Sequence, residues 1–214
     1  MPIFDFPFSA SRWMRTLTTL FVGVALLVGL AACDSTDSNS DDDPDALAPE
    51  TARVSIGDDG STTLNAFFAT GENPETGEEG FVVYLTESDD VTGEQDLLSG
   101  SAACIAREGP RPSSGTYTFA DLDFDQEDDT LIRDQFGFVY WDLSGDAGFP
   151  SRVVVSNSGE LTISTSTNDQ VTGSFEIEAT AVSFSQDEFT EEAVSVSGIF
   201  DARRVNVLIP GVDF

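Results

Sequence analysis

Carboxylates are the reactive groups that occur most often in this chain, and they are densest over residues 121–129. Hard cations such as calcium bind to several carboxylate oxygens at once. A twelve-residue calcium loop starting here would need glycine at its sixth position and a bidentate acid at its twelfth, where Gln126 and Ile132 stand. We therefore expect a solvated acidic loop, with no metal and no cofactor. The ligands of the alternative, a calcium site, would be Asp121, Asp123 and Asp125.

A second group of side chains that could bind something is the aromatic segment 136–141. In a strand, successive side chains point to opposite faces. One face would then carry Phe136, Phe138 and Tyr140, and the other would carry Val139 and Trp141. Because aromatic side chains dominate core burial, we expect core and rim packing for both sets. The alternative is an exposed platform for sugar rings or a protein partner, made by Phe136, Phe138, Tyr140 and Trp141.

The absence of histidine and lysine excludes several classes of catalytic mechanism. The chain has no histidine, and all nine basic residues are arginine. Serine–histidine and cysteine–histidine catalysis, imidazole metal ligands, Schiff-base lysines and phosphate-loop lysines are therefore excluded. Cys104 lies among small apolar residues and is predicted to be a buried hydrophobe. Only a carboxylate pair of the glycoside hydrolase type remains, and we predict no catalytic residue and no enzyme.

Residues 14–33 have the layout of a secretory signal. The positive charge of Arg15 precedes an uninterrupted apolar run, Leu20–Leu30, and two alanines and Cys33 follow it. An apolar run of this length suits a signal peptide, and it is shorter than the roughly 20 residues of a spanning helix. We therefore predict a cleaved signal peptide over residues 1–32, with Met1 and Met14 both open as the initiator.

The last four residues of this segment, Leu30-Ala31-Ala32-Cys33, resemble the lipobox of bacterial lipoproteins. That resemblance implies cleavage between Ala32 and Cys33 and attachment of lipid to Cys33. The membrane would then be a partner through the lipid, and palmitate is an expected modification. We place the protein in the cell envelope at the outer membrane, with the inner membrane left open.

After the lipidated cysteine, residues 33–50 are predicted to form a disordered tether. Residues 34–50 contain seven acidic side chains and no basic one. Such a segment buries too little apolar surface to offset its ordering entropy, and its charges repel one another. Fully extended, seventeen residues reach at most about 60 Å. The tether would hold a folded domain, residues 51–214, clear of the lipid headgroups.

The charge balance predicts an environment of high salt concentration. The chain has 39 acidic and 9 basic residues, a formal net charge of −30. Charge of this size keeps a protein soluble but makes the compact state repel itself, and concentrated salt screens that repulsion. The composition is similar to that of proteins from halophiles. It argues against nucleic acid as a partner, because lysine and arginine provide that affinity.

Residues 51–214 show the pattern of a single all-β domain. Short β-rich runs alternate with turn signals such as Asn157-Ser158-Gly159. Such a series favours an antiparallel β-sandwich or barrel of about 8–10 strands. A short helical turn is predicted only around Asp187–Glu192. The predicted strands are Arg53–Ile56, Thr62–Thr70, Gly80–Thr86, Ala102–Arg107, Gly115–Phe119, Phe136–Leu143, Arg152–Asn157, Glu160–Ser166, Val171–Val182 and Ala193–Arg204.

Alternation is clearest near the end of the chain. Within residues 173–179, the apolar side chains Phe175, Ile177 and Ala179 share one face, as in a sheet with one wet side. A Gly-x-aromatic unit recurs at Gly115, Gly173 and Gly198. A strand glycine often marks a bend that an adjacent aromatic ring covers, so we interpret the unit as structural.

Four segments, taken in order, extend the resemblance to bacterial lipoproteins. They are SGTYTF (Ser114–Phe119), GELTIS (Gly159–Ser164), VTGSFEIEA (Val171–Ala179) and VSVSGIFDA (Val194–Ala202). Their order is similar to that in an uncharacterised family of Gram-negative lipoproteins. The resemblance covers about the last hundred residues and implies a lipid-anchored β-domain of unknown role.

These features predict a non-enzymatic binding or scaffold domain at the envelope of a halophile, with an unidentified extracellular ligand or envelope protein as its partner. The alternative is a lipocalin-like barrel that carries a small apolar ligand. A continuous apolar cavity inside the domain would favour that alternative, and a packed two-sheet core with an exposed aromatic strip would favour the adhesion or scaffold role.

Overall fold

Alternating apolar residues build an all-β architecture. The computed structural model describes residues 47–72, 79–89, 100–122, 135–143, 150–184 and 189–205. All of them belong to one of the two compact units into which the chain divides. The described residues contain nine strands and no helix: β1 (Thr51–Ile56), β2 (Ser61–Glu72), β3 (Glu79–Thr86), β4 (Ser101–Glu108), β5 (Gly115–Thr118), β6 (Gly137–Asp142), β7 (Arg152–Ser166), β8 (Gln170–Phe184) and β9 (Phe189–Arg204).

Eight of these strands close into an antiparallel barrel, and β5 is an extra strand outside the ring. Around the barrel the strands follow the order β7-β6-β4-β3-β2-β1-β9-β8, and pairing of β8 with β7 completes the circle. The long hairpins β7–β8 and β8–β9 form most of one side. Where β1 has not yet begun, β9 instead pairs in parallel with β2, at Phe67↔Arg203 and Phe68↔Arg204. The predicted fold class is therefore confirmed, in its barrel form.

Strand β7 is long enough to take two partners in succession on one side. Its first half pairs with β6 and its second half pairs with β5. Between the halves, the register with β8 shifts by one residue after Ser156, which is a β-bulge. The buried Ser156 hydroxyl accepts a hydrogen bond from the Phe138 amide at 3.2 Å and donates one to the Ala120 carbonyl at 2.9 Å. These two bonds satisfy backbone groups at the change of partner, where the ladder is interrupted.

The barrel interior is filled by side chains. One core cluster takes residues from every strand of the ring, and several of its aromatic rings are in contact with one another. The Phe81 and Phe136 rings, for example, meet edge to face with centroids 6.2 Å apart, a preferred geometry for aromatic pairs. Six phenylalanine rings of this cluster are at most 2% exposed: Phe68, Phe81, Phe136, Phe138, Phe175 and Phe200.

Two glycines on neighbouring strands are covered by aromatic rings from across the sheet. Gly198 lies opposite Phe175, and a Cβ added there would be 2.4 Å from that ring. Gly173 lies opposite Phe200, whose ring would be 2.9 Å from an added Cβ. Each phenylalanine therefore folds over the glycine of the other strand. The structural interpretation of the Gly-x-aromatic unit is confirmed for these two, with the ring supplied by the partner strand.

Two sequence predictions are corrected by the strand bounds. Asn157-Ser158-Gly159 was expected to separate two strands, but it forms the bulge inside β7, so nine strands replace ten. The helical turn predicted around Asp187–Glu192 is wrong for residues 189–192, the part of this segment that the structure describes. Phe189–Glu192 begins β9 and pairs with Phe184–Ala181 of β8. Cross-strand pairing in this long hairpin outweighs the local preference of an acidic segment.

The outside of the barrel has two walls of different chemistry. The dry wall is the outward-facing set on β2, β3 and β4: Phe67, Ala69, Val82, Tyr84, Ala102, Cys104 and Ala106. The wet wall is the outward-facing set on β1, β7, β8 and β9: Arg53, Ser55, Glu160, Thr162, Ser174, Glu176, Glu178, Ser195, Ser197 and Ile199. Apart from the half-buried Cys104, every dry-wall residue is at most 6% exposed, whereas most wet-wall residues are open to solvent.

Candidate functional site

The predicted lipid and calcium residues fall largely outside the described part of the chain. Ala32 and Cys33 lie before residue 47, and Asp123 and Asp125 lie between residues 122 and 135. Asp121 is described and is exposed to solvent. Within the described ranges, no group of three or more potential metal ligands comes together. Lipidation at Cys33 and the expected absence of calcium stay predictions.

The aromatic segment divides as the strand pattern predicted. Phe136 and Phe138 are fully buried in the core, so neither can belong to an exposed platform. Tyr140 is half-buried and packs against the core at one end of the barrel. Trp141 points outward, between Ala102 and Val153 on the flanking strands, and is half-buried. Core and rim packing accounts for this segment.

A buried arginine closes one end of the barrel. Arg107 is the inward-facing residue near the end of β4, and its guanidinium carbon lies 5.4 Å and 5.6 Å from the ring centroids of Phe136 and Tyr117. Its Nη2 donates to the Pro110 carbonyl at 3.1 Å. The Tyr117 hydroxyl in turn donates to the Ser113 carbonyl at 2.8 Å, which holds that ring in place. A desolvated cation over an aromatic face is attracted by the quadrupole of the ring. The two rings therefore stabilise the Arg107 guanidinium in the place of a carboxylate partner.

The opposite end is closed by an arginine with acidic partners. Arg152 at the start of β7 forms ion pairs with Asp59 at 2.6 Å and with Glu192 at 2.9 Å. Both carboxylates are largely exposed, so each pair contributes no more than about 1 kcal/mol. Tyr140 lies beside this cluster, and burial raises the pKa of its hydroxyl. Tyr140 and Arg152 also line a cavity of about 70 Å³ between the barrel end and the β1–β2 turn.

That cavity bears on whether the barrel carries an apolar ligand. Pockets for small molecules usually measure about 300–1,000 Å³. A space of about 70 Å³ is much smaller, and phenylalanine rings fill the interior beyond it. A second and larger cavity at the described residues lies outside the barrel. Neither cavity provides the lipocalin-like alternative with an apolar chamber of that size inside the barrel.

The larger space is an open groove of about 500 Å³ on the wet wall. It crosses four strands, β1, β7, β8 and β9, and its lining includes Gly198 and Phe175. Its charged groups are Arg53, Glu160 and Glu176, and serine and threonine hydroxyls lie between them. Glu160 and Glu176 are directly opposite each other on β7 and β8. A surface of this kind can hold hydroxyl groups or a cation through exposed hydrogen bonds, but it has no enclosed nucleophile or base.

The two arginines at the barrel ends and the dry wall were not predicted from the sequence. Nothing in the spacing of Arg107 or Arg152 distinguishes them from surface arginines. The dry wall did have a signal. β3 reads GFVVYL and β4 reads AACIA, without the alternation of a half-wet strand. A continuous apolar run indicates a strand buried on both faces.

Comparisons with known proteins do not extend these observations. No protein-family model matches the chain, and neither the curated proteins nor the solved structures include a significant match. The resemblance to uncharacterised lipoproteins thus stays a prediction. The described part of the chain contains no helix long and apolar enough to span a bilayer.

Proposed function

We propose that this protein is a lipid-anchored, extracytoplasmic β-barrel with a non-enzymatic binding or scaffold role at the cell envelope of a halophile. The observation that carries the proposal is Leu30-Ala31-Ala32-Cys33 at the end of a signal-like apolar run. The acidic segment 34–50 supports it, because a charged, extended tether suits a domain that must stand off a membrane.

The filled interior supports recognition on the outside of the barrel. A packed core leaves the wall as the surface that a ligand or envelope protein would meet. The groove over Arg53, Glu160 and Glu176 is a concave part of that wall. We assign the binding role to this groove, with a polar or cationic partner, since exposed carboxylates and hydroxyls line it.

Metabolic labelling in a Gram-negative host tests the anchor. We expect the full chain to incorporate labelled palmitate and to fractionate with membranes. One acyl chain holds a protein only marginally, whereas two or more hold it stably. Cys33→Ser should abolish both labelling and membrane fractionation. Cys104→Ser is the matched control, because it removes the other cysteine of the chain and should change neither. A wild-type protein that stays soluble and unlabelled would contradict the proposal.

Apolar-ligand titration tests the filled interior. We expect no stoichiometric binding of a fluorescent fatty acid to the Cys33→Ser chain, since ligand pockets need about 300 Å³ or more. Saturable binding of one equivalent, lost on Tyr140→Ala or Phe138→Ala, would instead favour the carrier alternative.

A further inference from the structure

The start of β9 extends past the strand that borders it on one side. β1 pairs with β9 only as far as Ile56↔Val196, and the Gly57 amide then donates to the Ser195 carbonyl at 2.8 Å. Towards its first residue, Phe189, β9 continues with β8 as its partner. Among the described strands, none lies along the other side of residues 189–193. We call these five residues the open edge.

The open edge presents backbone hydrogen-bonding groups to solvent. Along a strand of an antiparallel pair, successive residues direct these groups to opposite sides. Because the Ser195 carbonyl points to β1, the amides and carbonyls of Ala193 and Glu191 point the same way, beyond the end of β1. No backbone group of the described residues bonds to them there. All five residues of the open edge are exposed, so the described part of the chain covers neither face of it.

Two large apolar side chains are exposed beside the open edge. Phe189 is 55% exposed, and Phe184, directly opposite on β8, is 37% exposed. Residues opposite each other in a ladder share a face, and Phe189 lies on the same outer face as Glu191 and Ala193. Every other large apolar side chain that the structure describes is buried or half-buried. Aromatic side chains are enriched where proteins contact a partner, so this pair indicates a contact surface.

The charges described around the open edge are mostly negative. Glu191 and Glu192 belong to it, and Asp58 and Asp59 lie in the adjoining turn after β1. The arginine nearby, Arg152, already forms ion pairs with Asp59 and Glu192. A second copy of this chain would bring the same carboxylates against these, and charged side chains are a known protection against edge-to-edge pairing. A strand that carries positive charge would be attracted to the same edge.

We propose that the open edge binds an extended, arginine- or lysine-bearing segment of another protein as an additional strand. The segment continues the line of β1 and bonds to the backbone of Glu191 and Ala193. Its basic side chains lie beside Glu191 and Glu192, and an apolar side chain lies against Phe189. Five residues of a strand are about 17 Å long, so a segment of five or six residues fills the edge. The inference depends neither on the lipid anchor nor on the groove of the wet wall.

A model peptide tests the charge preference. The probe is a labelled hexapeptide of alternating valine and arginine, and fluorescence anisotropy follows its binding to the Cys33→Ser chain at about 0.1 M chloride. We expect saturable binding of one equivalent. Glu191→Arg should weaken it at least about fivefold, because an attraction becomes a repulsion.

Asp169→Arg is the matched control for the peptide measurement. It makes the same change in net charge at an exposed position before the first residue of β8, whereas the open edge lies beside the last residues of β8. Charges so far apart are largely screened, so binding should weaken by less than about twofold. A peptide that does not bind saturably, or equal losses from Asp169→Arg and Glu191→Arg, would overturn the proposal.

A backbone variant separates strand addition from attraction by net charge. The Ala193 amide points to the open side, so Ala193→Pro removes that donor and leaves the ladder with β8 in place. Proline is tolerated at such positions of an edge strand. We expect Ala193→Pro to weaken peptide binding at least about fivefold. Ala193→Val keeps the donor and should bind within about twofold of the Cys33→Ser chain. Equal binding by the two folded variants would contradict strand addition.

A modified peptide covers the case in which Ala193→Pro does not fold. The same hexapeptide with every backbone nitrogen methylated keeps its arginine charges but has no backbone donors. We expect it to bind at least about tenfold more weakly than the parent peptide. Unchanged binding would show attraction by charge alone and would overturn the proposal. A dimer of the chain that Ala193→Pro dissociates would overturn it as well, since the edge would then bind a second copy.

Discussion

The dry wall and the wet wall enclose one core, yet they face different surroundings. Inside the barrel, both present buried apolar side chains to the same cluster. Outside, the dry wall contains no charged residue, whereas the wet wall carries Arg53, Glu160, Glu176 and Glu178. The difference shows that an acidic protein can keep part of its surface apolar if that part is covered. The negative charge is then concentrated where water and salt can screen it.

A charge placed on each wall should produce the largest contrast. Val82→Asp buries a carboxylate without a partner, so we expect it to lower the free energy of unfolding by about 3–5 kcal/mol. Ser174→Asp places the same group on the exposed wet wall and should change stability by no more than about 0.5 kcal/mol. Urea denaturation measures both values. Similar small effects for the two variants would mean that the dry wall is open to solvent.

The paired glycines Gly173 and Gly198, at inward positions on the strands that carry the wet wall, should give the next largest effect. Gly198→Ala pushes a methyl group into the Phe175 ring, and Arg53 backbone also lies within 3 Å of the added Cβ. We expect a loss of about 1–3 kcal/mol, the usual range for overpacking. A double-mutant cycle with Phe175→Leu, measured by urea denaturation, gives the interaction free energy between the two positions. If the ring covers Gly198 as described, the alanine should cost less in the Phe175→Leu background; additive effects would contradict the contact.

Salt should stabilise the protein through its wet surface. Between about 0.1 and 2 M chloride the Debye length shortens several-fold, which weakens repulsion among the excess acids. We expect the melting temperature to rise by at least about 3 °C, equivalent to about 1 kcal/mol for a domain of this size. Calorimetry with sodium or potassium chloride tests this; sulfate would also strengthen apolar burial and confuse the result. A flat melting temperature would refute the screening argument.

The smallest expected effect concerns one pair of like charges. Glu160 and Glu176 lie directly opposite each other on the wet wall, an arrangement that destabilises a sheet. Glu176→Gln should therefore raise the free energy of unfolding by about 0.2–1 kcal/mol at low salt, and the gain should vanish near 2 M chloride. Glu178→Gln is the control, since Glu178 faces Ser158 and Ser195. An equal gain from both variants would implicate net charge rather than this pair.

How far the sequence predicts the structure differs between the walls. Apolar and polar side chains alternate along the strands of the wet wall. The sequence alone therefore places Phe175 on the inner face and Glu176 on the outer face. Barrel closure did not follow, because it depends on pairing between β1 and β9, the first and last strands, which are far apart in the sequence. The bulge after Ser156 in β7 did not follow either. The sequence Asn157-Ser158-Gly159 suits either a bulge or a turn. Local signals cannot separate the two, since tertiary pairing decides between them.

The candidate sites were less predictable than the fold. Aromatic spacing correctly placed Phe138 and Tyr140 on the inner face. Arg107 and Arg152 could not be found from spacing, because their role depends on which rings or carboxylates the closed barrel brings to each end. The groove on the wet wall joins residues from four strands. A site of this kind exists only after those strands pair.

The most direct test of the two-wall account compares one thiol on each wall in the full chain. The first protein is Cys33→Ser, which leaves Cys104 on the dry wall. The second adds Cys104→Ser and Ser197→Cys, which moves the thiol to the exposed wet wall. With a maleimide reagent, we expect the wet-wall thiol to react within about tenfold of its rate in the unfolded chain, and Cys104 to react at least about a hundredfold below its own. Comparable protection of the two thiols would contradict the account.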